Sequence, residues 1–158
     1  MIFFLAYIIF FCFLQSENKD SLRNILTNLQ YEVTQNCGTE PPFNNEYWNN
    51  NKRGLYVDRI SGQPLFISKH KYKSGTGWPS FYDILDSTQI KQSEDYNFGY
   101  KRIEIKSSSS NSHLGHLFED GPKPTGRRYC INSASLRFIK YENLDDYGLS
   151  NYKKLFKK

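Results

Sequence analysis

Arg128 to Ile139 is the longest strand pattern in the chain, and a stricter one precedes it, in which Ile103 and Ile105 alternate with Arg102, Glu104 and Lys106. Alternation with a period of two gives a strand one apolar and one polar face, so a chain built on it must close one face of a sheet against a core. Only 38% of the residues are hydrophobic, but 16% are aromatic. Aromatic side chains bury large areas and favour strands, so the composition leans to β structure. A chain of 158 residues is long enough for one domain with its own core.

Other segments follow the same grammar. Gly54 to Val57 predicts a strand, Ser61 to Pro64 a turn and Leu65 to Ile67 the partner strand, together a hairpin. Phe81 to Leu85 predicts a helical turn, and the polar stretch up to Asp95 predicts no element. Ser107 to Ser110, with Asn111 and Ser112, is a short connection into a strand at Leu114 to Phe118, and Glu119 to Gly126 is a Gly- and Pro-containing break. Near the start, Leu22, Ile25, Leu26 and Leu29 recur at helical spacing behind Asp20 or Ser21 as N-cap. A loop-rich stretch follows from Asn36 to Asn45.

The two ends differ from the middle. Ile2 to Leu14 is a run of 13 apolar residues, short for a membrane span of roughly 20 and suited to a signal-peptide core. The expected layout is a leader over 1–16, a helical lead-in over 17–32, one domain over 33–140 and a basic, solvated tail over 141–158. A leader of this kind implies the secretory pathway or an organelle reached through it, with a membrane anchor as the second reading. The net charge is +5, but Lys and Arg are spread among Asp and Glu, which argues against a nucleic-acid partner. Loss of the leader would remove Cys12 and leave Cys37 and Cys130.

Cys130 carries the chemistry-bearing signal. Alternation puts Arg128, Cys130 and Asn132 on one face, and a guanidinium beside a thiol is a setting that lowers its pKa; a buried structural cysteine is the bland alternative. His113 and His116 point to opposite faces of a regular strand unless Gly115 hosts a bulge, in which case both imidazoles turn the same way and either supplies a proton. Ser74-Gly-Thr-Gly-Trp-Pro-Ser-Phe81 frames Trp78 on a glycine loop, where it lines a pocket or caps the core.

These segments, with Val-Thr-Gln-Asn, Gly-Thr-Glu-Pro-Pro-Phe, Tyr-Val-Asp-Arg-Ile-Ser-Gly-Gln-Pro-Leu-Phe, His-Leu-Gly-His-Leu-Phe-Glu-Asp-Gly-Pro and Arg-Tyr-Cys-Ile-Asn-Ser-Ala-Ser-Leu, resemble the B-type methionine sulfoxide reductases from about Val33 to Ile139. The resemblance implies a mainly β fold, with two small antiparallel sheets forming an open barrel-like core and short peripheral helices. It implies reduction of methionine-R-sulfoxide, free or in proteins, with Cys130 as nucleophile, His116 as the main acid, and His113 and Asn132 as polar groups about the sulfoxide oxygen. Trp78 and Phe118 would bind the substrate, and Arg128 and Asp120 would orient groups and set charge in the same pocket.

Two departures from the family pattern bear on mechanism. Many members hold a structural zinc between two Cys-x-x-Cys pairs, and this chain has Asp58 with Ser61 and Ser107 with Ser110; hydroxyls do not replace thiolates, so no metal is expected, as in the zinc-free branch. Many members also carry a resolving cysteine where this chain has Thr76. Cys37 is the resolving candidate, with direct reduction by an external thiol such as thioredoxin as the competing route. A permanent Cys37–Cys130 disulfide, worth about 4 to 5 kcal/mol by loop entropy, is the purely structural reading. The expected partners are oxidised methionine and a thioredoxin-like donor, the expected state a monomer, with no cofactor. A non-catalytic binding protein on the same fold is the alternative.

Overall fold

The computed structural model describes residues 21–97 and 99–157, so the leader segment lies outside the described residues. Among the described residues nine strands form two antiparallel sheets, with the nine-residue helix Asn28–Asn36, a shorter helical stretch over 21–25 and several short 3₁₀ turns around them. The strands close no barrel among the described residues. The smaller sheet has the order β2-β1-β9, from β1 (Gly54–Asp58), β2 (Pro64–Ile67) and β9 (Leu136–Lys140). The larger has the order β3-β4-β8-β7-β6-β5, from β3 (Lys71–Tyr72), β4 (Ser80–Phe81), β5 (Ile90–Asp95), β6 (Arg102–Ser107), β7 (His113–Phe118) and β8 (Arg128–Ile131).

The hairpin expected at Gly54 to Ile67 is present, with Leu55 opposite Ile67 and Tyr56 opposite Phe66. Its aromatic residues start the main core: Phe66 stacks on Phe81 at 4.4 Å, and Tyr56 meets Phe81 edge-on at 5.0 Å. Tyr129, Ile131, Ile105, Leu114 and Leu136 complete this core. Each fully buried side chain of this size contributes about 1.5 to 3 kcal/mol, so the aromatic content supplies the burial that a low aliphatic content leaves short.

Several expectations are corrected. Arg128 to Ile139 is not one strand. It pairs in the large sheet as β8, turns through a 3₁₀ helix at Ser133–Ser135, and continues in the small sheet as β9. The cause is distant in sequence: the buried Glu40 carboxylate accepts the N–H groups of Ser133 and of Ala134, the latter at 2.8 Å. That makes the turn a satisfied alternative to a continuous ladder. Phe81 to Leu85 is not a helical turn, because Phe81 belongs to β4 and pairs with Tyr129. The polar stretch before Asp95 is a strand, β5, paired with β6 along its whole length.

At the start, residues 21–25 are helical, but the main helix, α1 (Asn28–Asn36), begins later behind a Thr27 capping box with Gln30. Ile25 and Leu29 are exposed, and Tyr31 and Val33 are buried instead. At the other end Lys154 and Lys157 are exposed, while apolar residues of the same segment pack onto the domain. Leu144 and Phe156 sit in a second core cluster with Leu55, Val57, Ile67 and Ile139, and Arg53 reaches the Phe156 carbonyl at 3.1 Å. Among the described residues no helix is long and apolar enough to cross a membrane.

Candidate active site

Cys130 lies in the middle of the large sheet, with a neighbour on each side. In the ladder it stands opposite Ser80 of β4 and opposite His116 of β7. Directly opposed side chains share a face, with Cβ atoms roughly 4.5 to 5.5 Å apart, so the thiol and the imidazole project together. Tyr129 and Ile131 project from the other face into the core, as the alternation requires.

His113 and His116 turn to the same side through a bulge in β7. The pairing shifts between Ile105 opposite Gly115 and Lys106 opposite His113, which leaves Leu114 as the extra residue. Gly115 makes this possible, since a Cβ there would lie 2.1 Å from the Cys130 carbonyl oxygen. The two rings come within 5.4 Å of each other, centre to centre. Each imidazole has its own carboxylate: His113 Nδ1 lies 2.7 Å from Glu104 of β6, and His116 Nε2 lies 2.7 Å from Asp95 of β5.

A cleft of about 110 Å³ opens over this arrangement, lined by Trp78, His116, Phe118, Cys130 and Asn132 together with Thr39 and Arg102. Trp78 is fixed by its indole N–H, which donates to the Glu40 carbonyl at 3.0 Å. Asn132 is buried; its carbonyl oxygen accepts from the Glu40 N–H, and its amide donates to the Leu114 carbonyl, both at 3.2 Å. The backbone and side chain of Glu40 thus hold Trp78, Asn132 and the turn after Cys130. A larger depression of about 720 Å³ near Asn49 and Lys140 contains no thiol or imidazole.

Not every expected residue lines the cleft. Arg128 and Asp120 form a two-pronged ion pair, both bonds 2.8 Å, and the guanidinium lies 4.3 Å from the centre of the Phe118 ring. Their place is behind Phe118. His113 is 1% exposed and faces the adjoining depression with Cys37 and Glu104. Both described cysteines are free, Cys37 exposed and Cys130 half-buried, so the structure holds no Cys37–Cys130 disulfide.

The electrostatics correct one expectation. Burial pushes the Cys130 thiol above its ordinary value, opposed by the Arg128 charge and by the Thr76 and Ser80 hydroxyls; desolvation outweighs the guanidinium. Burial likewise lowers His116, while the Asp95 carboxylate raises it and Arg102 lowers it. Burial also lowers His113, against the raising effect of Glu104. Asp95 itself is held at about 2, first by the Asn97 N–H, with Arg102 and His116 adding to the effect. Asp95, Glu104, Glu40 and Ser80 are site residues that sequence reasoning missed.

A model of the SelR domain matches residues 26–140. The chain is also similar to a protein of Vibrio cholerae serotype O1 described as peptide methionine sulfoxide reductase MsrA/MsrB, with 52% identity over 140 residues, which is 89% of this chain. The match covers 37% of that relative's length, so the chain corresponds to a part of it. The matched segment contains every residue of the cleft, and the chain belongs to the SelR domain family.

Proposed function

We propose that the chain reduces methionine-R-sulfoxide to methionine, with Cys130 as nucleophile and His116 as acid. The observation that carries this reading is the direct opposition of His116 and Cys130 across one ladder, under a cleft walled by Trp78 and Phe118. The Cys130 sulfur attacks the sulfoxide sulfur as His116 protonates the oxygen; an S–S bond forms, the S–O bond breaks, and the oxygen leaves as water with the thiol proton as its second hydrogen. Water then attacks the Cys130 sulfur of this sulfonium, the S–S bond breaks, methionine leaves, the released proton returns to His116, and Cys130 is left as a sulfenic acid. A positioned acid contributes a factor of about 10² to 10⁴ to such a step. Trp78 and Phe118 supply apolar walls for the methyl and chain, Asn132 supplies a polar group beside the oxygen, and His113, outside the cleft, packs against the His116 ring at 5.4 Å.

The sulfenic acid is cleared by Cys37 or by an external thiol such as a thioredoxin-like donor. Thr76, whose hydroxyl lies 3.9 Å from the Cys130 sulfur, has no thiol to offer. No zinc is assigned to the Asp58, Ser61, Ser107 and Ser110 set. Its side chains are one carboxylate and three hydroxyls, and they are already engaged: the Asp58 carboxylate accepts from the Ser61 N–H and the Ser110 hydroxyl, and the Ser107 hydroxyl donates to Gln63. The reading includes a monomer that enters the secretory pathway through its leader.

Thiol counting tests the regeneration route. Two free thiols among Cys37 and Cys130, falling to none after one equivalent of sulfoxide, supports Cys37 as the resolving group. A fall to one assigns clearance to an external thiol.

A further inference from the structure

We propose that Cys37, Glu104 and His113 form a binding site for a divalent transition-metal ion of the zinc class, beside the cleft that holds His116 and Cys130. The three residues come from separate elements: the C-terminal end of α1, the middle of β6 and the start of β7. One ligating atom from each lies within 4.8 Å of the others. Sulfur, carboxylate oxygen and imidazole nitrogen are the donors that zinc takes, with bond lengths of about 2.0 to 2.3 Å. In a tetrahedral site those lengths put donor atoms roughly 3.3 to 3.8 Å apart, so small side-chain rotations close this set around an ion.

The site is built rather than incidental. His113 is buried, so its ring is held in place by packing. Its Nδ1 meets Glu104 Oε1 at 2.7 Å, and the other Glu104 oxygen accepts from Ser93 at 3.0 Å, which aims the carboxylate as metal sites require. The adjoining depression, about 230 Å³, adds the acidic Glu94 and Asp95. The opposing charges are Lys106, 3.4 Å from Glu104, and Arg102, which lines the same depression and pairs with Asp95. Three protein ligands leave a fourth position for water, the arrangement of an exchangeable site rather than a closed structural one.

Metal bound here withdraws the Cys37 thiol from Cys130 and replaces the Glu104 contact of His113. Such an ion inhibits any turnover that needs Cys37; this consequence rests on the proposed reductase reaction, whereas binding itself does not.

Titration of the reduced full chain with Co²⁺ tests the site. One ion per chain is expected, with the near-ultraviolet absorption of a cobalt–thiolate bond, and Zn²⁺ displaces it. Cys37→Ser abolishes that absorption, Glu104→Gln weakens binding about tenfold or more, and Cys130→Ser preserves both, so the metal result is independent of catalysis. A measurement without a variant accompanies it: Zn²⁺ slows iodoacetamide labelling of Cys37, located by peptide mass. Absence of stoichiometric uptake, absorption that survives in Cys37→Ser or vanishes in Cys130→Ser, unchanged affinity in Glu104→Gln, or unprotected Cys37 each overturns the proposal.

Discussion

His116 and Cys130 face each other directly across the β7–β8 ladder, so the separation of thiol and imidazole is set by backbone hydrogen bonds rather than by loop geometry. A reactive pair on paired strands is held more tightly than one on loops. The bulge at Gly115 and the carboxylate of Asp95 then decide how the imidazole is aimed and charged.

Asp95→Asn should move the pH profile of R-sulfoxide reduction. Burial lowers the His116 pKa, and the Asp95 carboxylate is the strongest influence that raises it. A general acid is active while protonated, so kcat/KM falls as pH rises through the His116 pKa. Loss of the carboxylate lowers that pKa further and moves the falling limb to lower pH. A pKa lower by one leaves about a tenth as much imidazolium near neutrality, and the rate there falls in proportion. An unmoved limb would show that Asp95 does not set the charge of His116.

Gly115→Ala should abolish the site's geometry. The added methyl would sit 2.1 Å from the Cys130 backbone oxygen, a contact only strand separation relieves. The expected cost is about 3 kcal/mol or more, measured by urea unfolding, together with loss of activity in the fraction still folded. Wild-type stability would contradict the bulge.

Asp58 and its serine neighbours are expected to hold their two loops without metal. The fully buried Asp58 carboxylate accepts from the N–H groups of Ile60, at 2.8 Å, and Ser61, at 3.3 Å, and from the Ser110 hydroxyl. Asp58→Ala strands these donors and should cost about 3 kcal/mol. Wild-type protein in excess chelator should still unfold in one cooperative transition; an unfolded wild type there would show that a metal is needed after all.

Cys37→Ser should leave a single turnover of Cys130 intact and slow multiple turnovers with a thioredoxin-like donor, while dithiothreitol supports both. In that background Thr76→Cys should restore the donor-dependent rate, since the Thr76 hydroxyl already lies 3.9 Å from the Cys130 sulfur. Donor-dependent turnover unaffected by Cys37→Ser would assign clearance to the external thiol.

What the sequence disclosed and what it hid have different physical origins. Cys130, His116 and Trp78 stood out because few residue types suit such chemistry, and the structure brings them to one cleft; the alternation around Cys130 placed Tyr129 and Ile131 on the core side as observed. Gly115 between two histidines was legible as a bulge. Asp95 and Glu104 were not, because their importance depends on β5 and β6 pairing beside β7, and β5 is mostly exposed and polar. The break after Ile131 was hidden because Glu40, far away in sequence, stabilises it. The rise in the Cys130 pKa was hidden for a related reason: the Arg128 charge is visible in a sequence, and the depth of burial that outweighs it is not.

The decisive experiment is reduction of the separate R and S epimers of a blocked methionine sulfoxide, with dithiothreitol as donor, by wild-type protein and Cys130→Ser. Wild type should consume the R epimer alone, and Cys130→Ser should consume neither. Equal consumption of both epimers, or R-epimer reduction that survives in Cys130→Ser, would contradict a Cys130-dependent methionine-R-sulfoxide reductase.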